Sequence, residues 1–427
     1  MAYSVEKGAD QLLLENPLAT PNLSTDDNLW TLNFGPQHPA THTTIRLVLE
    51  LDGERVVRCL PIIGYLHSGF EKNAEVLNYN QYSTIVDRMD YLSPISNEVA
   101  WFRAAEKLFD IELTPRCKVI RTILGELGRI QNHLLCVGAA ALDLGAFTAF
   151  LFGFNEREVI YDIIEYVSGS RFHPSYFRVG GVMKDVDDNT FRTMIKKFID
   201  NGLPKAINDM EILLNRNRIF IDRTQGVGTV TTEEAINWSM SGPLARSAGV
   251  LRDVRKDDPY LCFKDNWDGK GTPAVNFKVP IMKTGDCLAR YLVRLEEMKQ
   301  SIHIINQLID NIPQGPVNVS VEGKDVLPPK SQTYGSIEGL IQHFELIMTN
   351  RGFEAAKGEV YGCCETANGE LGYYIVSDGG PIPWRARTRP PSYIHLSILP
   401  KMIEGHMMSD VVAVLGSLNI IAAELDR

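Results

Sequence analysis

Two histidines stand four residues apart in Gly35-Pro36-Gln37-His38-Pro39-Ala40-Thr41-His42. On a helix that spacing could share a metal, but Pro39 between them disfavours a helix interior. The segment reads instead as a rigid loop. Histidine changes charge near neutral pH, which suits a hydrogen-bond donor or proton source at a cavity mouth. A polar turn with exposed imidazoles is the plainer reading, and it weighs about equally. A second group, Asp87-Arg88-Met89-Asp90-Tyr91-Leu92-Ser93-Pro94, sets two acids, an arginine and a tyrosine before a helix start. Taken alone it is best read as a salt-bridged cap. A tyrosine hydroxyl in an apolar pocket would also suit a carbonyl oxygen. Glu126, Arg129 and His133 share one helix face, and Asp143 follows ten residues later, roughly 15 Å along an unbroken helix. An acid in so apolar a run needs a partner, and a pair between helices explains it nearly as well as function does. Trp384-Arg385-Ala386-Arg387-Thr388-Arg389 is either a solvated basic loop or, by a narrow preference, a grip on an acidic partner surface.

Several chemistries are excluded. The chain has 427 residues, with 43 Lys+Arg against 53 Asp+Glu. That acidic balance argues against non-specific nucleic-acid binding. No P-loop is present, and Gln225-Gly226-Val227-Gly228-Thr229 lacks the dinucleotide pattern, so no nicotinamide cofactor is expected here. The seven cysteines contain no C-x-x-C pair, so no iron–sulfur cluster or structural zinc is expected from cysteines. Their odd number and irregular spacing point to a reducing compartment. A hydrolytic metal site from His38, His42 and His67 lacks a suitably spaced third ligand. The run Val137–Phe154 carries Asp143 and several glycines, too interrupted for a membrane span. The opening residues lack the order of a secretory signal.

The elements that must position these groups follow from periodicity. Residues 1–30 read as an N-terminal extension, and 31–95 as a β-containing region. There Thr44–Leu51 and Arg55–Leu60 alternate around Asp52-Gly53 as a hairpin. Residues 96–330 read as a helical bundle core with an irregular insertion over 220–283. Its helices start near Asn97, at Pro115 (a buried central helix) and at a capping Asn155, the last stopping at Gly169. Phe191–Leu214 and Asp286–Ile312 are further helices. Residues 331–427 read as a C-terminal α/β region, with strands flanking Asn368-Gly369 and a buried apolar stretch from Asp410 to Ile421.

GPQHPATH, IGYLHSGFEK, DRMDYLSP, RTILGELGRIQNHLL, ALDLGA, SGPLARSAG, VSDGG and RTRPPSY occur in one order from Thr31 to Arg427. In this the chain resembles the D subunit of bacterial NADH:quinone oxidoreductase, respiratory complex I. That family is in turn similar to the large subunit of nickel–iron hydrogenases. The resemblance implies an α+β, mainly helical fold with a central bundle and flanking β-containing regions. Hydrogenases hold their metals with soft thiolates. Asp90, Ser93, Ile421 and Glu424 stand where those cysteines would be, so no metal is expected, and the family uses the vacated cavity for a quinone headgroup. His42 and Tyr91 match its two headgroup ligands, Asp143 the acid paired with that histidine, and His38 and Ile421 possible cavity lining.

The resemblance further implies quinone as substrate, no cofactor bound by this chain alone, and an electron-donating iron–sulfur cluster on a neighbouring subunit. The implied partners are complex I subunits B, C and H, with I by proximity; the first of them carries the cluster. The implied place is peripheral, on the cytoplasmic face of the inner membrane. A relative fed by ferredoxin or a deazaflavin, or a non-catalytic scaffold, are the alternatives. The chain departs from the family in two places. Ala367-Asn368 replaces a usual Pro-Lys, and Asn419 replaces a usual acid.

Overall fold

The computed structural model describes residues 29–319, 327–328, 330–348 and 354–427. The extension expected over residues 1–30 therefore lies almost wholly outside the described residues. The first sheet is antiparallel: β1 (Trp30–Phe34), β2 (Arg46–Asp52) and β3 (Arg55–Ile62), in that order. Asp52 pairs with Arg55, so the hairpin turns on Gly53-Glu54, with Gly53 at φ +59°. The central strand is buried from Leu47 to Leu51, because helices near the C-terminus cover the sheet.

The helical core holds α1 (Pro94–Phe109), α2 (Pro115–Asp143), α3 (Phe147–Ser168) and α4 (Cys287–Ile309). Thr114 caps α2 by accepting the Cys117 N–H, with Pro115 at the first helical position, where a missing N–H costs nothing. Between α3 and α4, the helices Asp188–Lys197 and Leu203–Leu214 are joined by a π turn, Phe198–Gly202. Pro204 just beyond cannot donate to an α-helical ladder, and a wider turn accommodates it.

The second sheet is β4 (Gly358–Glu365), β5 (Glu370–Ser377) and β6 (Arg385–Arg389), also antiparallel. It packs on α1. Gly362 makes that possible, since a Cβ there would stand 2.6 Å from the Ala104 Cα. Helices α5 (Pro391–Ile403) and α6 (Met408–Leu418) follow, then a short turn of helix, Ala422–Asp426. Among the described residues, no helix is long and apolar enough to cross a membrane.

Three local expectations need correction. The third core helix starts at Phe147, not at Asn155. Upstream of Asn155, Ala149 and Gly153 are buried and Gly153 stands close against Leu134 of α2, and this packing of one face carries the helix through the asparagine although Phe147 and Leu151 are exposed. Helix α1 begins at Pro94, three residues before Asn97. The basic segment is a strand, not a loop: Ala386 and Thr388 are buried while Arg385 and Arg387 are exposed. Their acidic surface is the chain's own, for Arg385 meets Glu75 at 2.7 Å and Arg387 meets Glu71 at 2.9 Å.

Candidate functional site

The loop after β1 is built to present His42. His38 Nδ1 accepts the Ala40 N–H at 3.1 Å, opening one 3-10 turn over Pro39–Thr41. The buried Thr41 hydroxyl spans His38 O at 2.8 Å and Thr43 O at 2.7 Å. His42 ends the turn at φ +54°, a left-handed conformation uncommon for a residue with a side chain. Its Nε2 then lies 2.7 Å from Asp143 Oδ2. The approach is close but not well directed as a hydrogen bond. Asp143 is the last residue of α2, where the helix dipole does not favour negative charge. The His42 imidazole is the group that stands beside it.

Tyr91 sits in the turn before α1. It is partly buried, and no hydrogen bond holds its hydroxyl among the described residues. Burial first, and then the charge of Asp90, raise its pKa, so it is a phenol near neutral pH. Asp90 is buried behind it. The Ser93 hydroxyl donates to Asp90 at 2.7 Å, the Leu92 N–H at 3.1 Å and the Asn132 amide at 3.0 Å. His38 is exposed with its ring 4.3 Å from that of Phe34. Ile421 is buried, its N–H 3.4 Å from Ser392 Oγ. The structure thus joins His42 to Asp143, and keeps His38 in the same loop in a capping role.

The sequence marks Glu424 only as a replaced cysteine, yet it is a second buried acid beside Asp90. Ser392 Oγ donates to it at 2.8 Å, and burial, then Asp90's charge, push its pKa up. The one sequence signal is an acid within an apolar terminal run. The two departures from the family pattern meet each other. Asn419 Nδ2 donates to Asn368 Oδ1 at 2.6 Å and to Asn132 Oδ1 at 2.7 Å. Two neutral amides therefore face one another.

Glu126, Arg129 and His133 belong to a separate network of ion pairs. Arg255 meets Glu126 at 3.1 Å and Asp253 at 2.7 Å. Arg246 meets Glu297 at 2.6 Å and Glu365 at 2.8 Å. His133 Nε2 is 2.8 Å from Glu297, but burial lowers its pKa to about 4, so it is neutral. The three-histidine metal reading fails. His67 is turned to the Asp426 backbone oxygen at 2.8 Å, His42 to Asp143, and His38 to its own turn. Among the described residues, no three His, Cys, Asp or Glu side chains gather to hold a metal.

Fold and site together define a class: a mainly helical α+β subunit whose central helix carries buried charge and ends in a histidine–carboxylate contact. Residues 143–427 match the family model "Respiratory-chain NADH dehydrogenase, 49 Kd subunit". The chain is 46% identical to the NADH-quinone oxidoreductase D subunit of Methylacidiphilum infernorum, over 93% of this chain and 91% of that one. It is 44% identical to the D subunit of Geobacter sulfurreducens, over 93% and 99%. The chain belongs to this D-subunit family, and so is part of an oxidoreductase complex in which it works with other subunits.

Proposed function

We propose that this chain is the quinone-site subunit of the complex's peripheral arm. Quinone takes two electrons from an iron–sulfur cluster on a neighbouring subunit, and this chain's side chains position the headgroup and supply protons. Subunits B, C and H, with I nearby, complete the surroundings at the cytoplasmic face of the membrane. His42 and Tyr91 hydrogen-bond the two quinone oxygens, and Asp143 is the charge partner of His42. His38 and Ile421 line the cavity, whose frame is that of a nickel–iron hydrogenase large subunit without its thiolates. Proton transfer from His42 alters the balance of the His42–Asp143 contact, and that change starts the signal coupled to proton translocation.

The observation that carries this reading is the His42–Asp143 contact, with Tyr91 as a second, separate donor. One imidazole is 2.7 Å from a carboxylate, and one phenol keeps its proton with its hydroxyl uncommitted. A neutral, mostly apolar headgroup asks for a few fixed donors of this kind. In the assembled complex, Tyr91→Phe and His42→Ala should each lower quinone reduction about a hundredfold, while cluster reduction by NADH stays normal. Wild-type turnover in both variants would discard the reading.

A further inference from the structure

We propose that Asn419 is a positioning residue for Tyr91, acting through Asn132 and Asp90. This rests on the quinone-site reading and deepens it by naming what aims one of the two donors. Every link is a hydrogen bond. Asn419 Nδ2 donates to Asn132 Oδ1 at 2.7 Å and to Asn368 Oδ1 at 2.6 Å. Asn132 Nδ2 donates in turn to Asp90 Oδ2 at 3.0 Å. Asp90 Oδ1 accepts the Leu92 N–H at 3.1 Å, and its Oδ2 accepts the Ser93 hydroxyl at 2.7 Å. The bond from Leu92 closes a turn in which a side-chain oxygen stands in for a backbone one, and Tyr91 is the middle residue of that turn. The main-chain oxygen of Asp90 is held as well, by Asn97 Nδ2 at 3.1 Å. Tyr91 therefore springs from backbone that the Asp90 carboxylate fixes.

The chain of bonds has a direction. An amide offers donors at one end and an acceptor at the other. Asn419 turns its donor end to two oxygens, so Asn132 keeps its oxygen toward Asn419 and its NH2 toward Asp90. The opposite orientation of Asn132 would set NH2 against NH2 at one end and oxygen against carboxylate at the other. Asn132 is fully buried, where an unpaired polar end is costly, and its orientation is thus decided at Asn419. Position 419 suits this task. It ends α6 at φ +57°, a left-handed conformation that asparagine adopts more readily than most residues, and its side chain reaches back to α2. A carboxylate at that position could only accept. It would draw the Asn132 NH2 to itself, leave an oxygen facing Asp90, and loosen the turn that carries Tyr91.

Reversing the direction in the assembled complex tests this. Asn419→Asp and Asp90→Asn should each lower kcat/KM for quinone about tenfold by misplacing Tyr91. Together they restore a continuous chain running the other way, in which Asn132 donates to position 419 and accepts from position 90. The double variant should therefore return to within about threefold of wild type. Should Asn419→Asp not assemble, Asn419→Gly carries the test, since glycine keeps the left-handed backbone and removes the donor. It should also lose about tenfold in kcat/KM, and should cost nothing further when combined with Tyr91→Phe. Wild-type kcat/KM in Asn419→Gly, or losses that simply multiply in either combination, overturns the positioning role. If Tyr91→Phe is slow while the Asn419 variants are normal, only that role fails; if Tyr91→Phe is itself normal, the quinone-site reading falls.

Discussion

Around Arg246 and Arg255, the buried acids Glu126, Asp253, Glu297 and Glu365 each touch a guanidinium. Around Tyr91, Asp90 and Glu424 touch none. Both groups lie in one core and are equally dry. In the first, burial alone would raise every acid, but the arginines outweigh it and hold Glu126, Asp253 and Glu297 below the usual carboxylate range. Glu365, which also faces Asp253, is the exception and is raised. In the second, hydrogen bonds from Ser93, Leu92 and Asn132 at Asp90 and from Ser392 at Glu424 oppose burial without outweighing it, and both acids are raised. Fixed charge makes a frame; adjustable charge makes a place where protons can be held and released. Polar burial by itself does not distinguish the two; every lowered acid here touches a guanidinium, but Glu365 and Glu106 show that one such contact is not always enough.

The comparison breaks first at Arg246. Arg246→Met leaves Glu297 and Glu365 short of their counter-ion, which should cost about 3–5 kcal/mol and sharply reduce assembled complex on native gels. Glu424→Gln, by contrast, imitates an already neutral acid and should assemble normally. Equal yields from the two variants would erase the distinction. Next comes the amide pair. Asn419→Asp places a carboxylate against Asn368 and Asn132, with an expected loss of about 1–3 kcal/mol seen as a lower unfolding temperature of the complex. Asn368→Lys combined with it should recover most of that loss, and purely additive effects would show that the two positions do not act as a pair. The smallest effect belongs to the surface. Arg171 contacts Glu158, Asp162 and Glu165, yet it is solvent-exposed, so Arg171→Ala should leave the unfolding temperature unmoved. A clear drop would mean that exposed pairs matter here as well.

Much of this is legible along the chain. Thr114-Pro115 announces the central helix, and Gly169, at φ +83°, ends the next one. The hairpin around Asn368-Gly369 forms as a four-residue loop, Thr366–Gly369, between paired Glu365 and Glu370. Local signals mislead where one masks another. Asn155 resembles a cap only if the aromatic run before it is not already helical. In Arg385-Ala386-Arg387-Thr388-Arg389 the density of charge hides a period of two, which is the mark of a strand. The His42 and Asp143 motifs are recognisable, and the amide substitutions at 368 and 419 stand out, but no local pattern says that the latter two touch.

The sequence by itself determined the family, the long helices and which residue types were available for proton chemistry, because periodicity, caps and motif order are local properties. Only the tertiary structure decided which charges meet. His42 and Asp143 are separated by about 100 positions, Asp90 and Glu424 by 334. Whether a buried acid finds an arginine or another acid depends on how helices and loops pack, and that packing fixes which carboxylates stay charged.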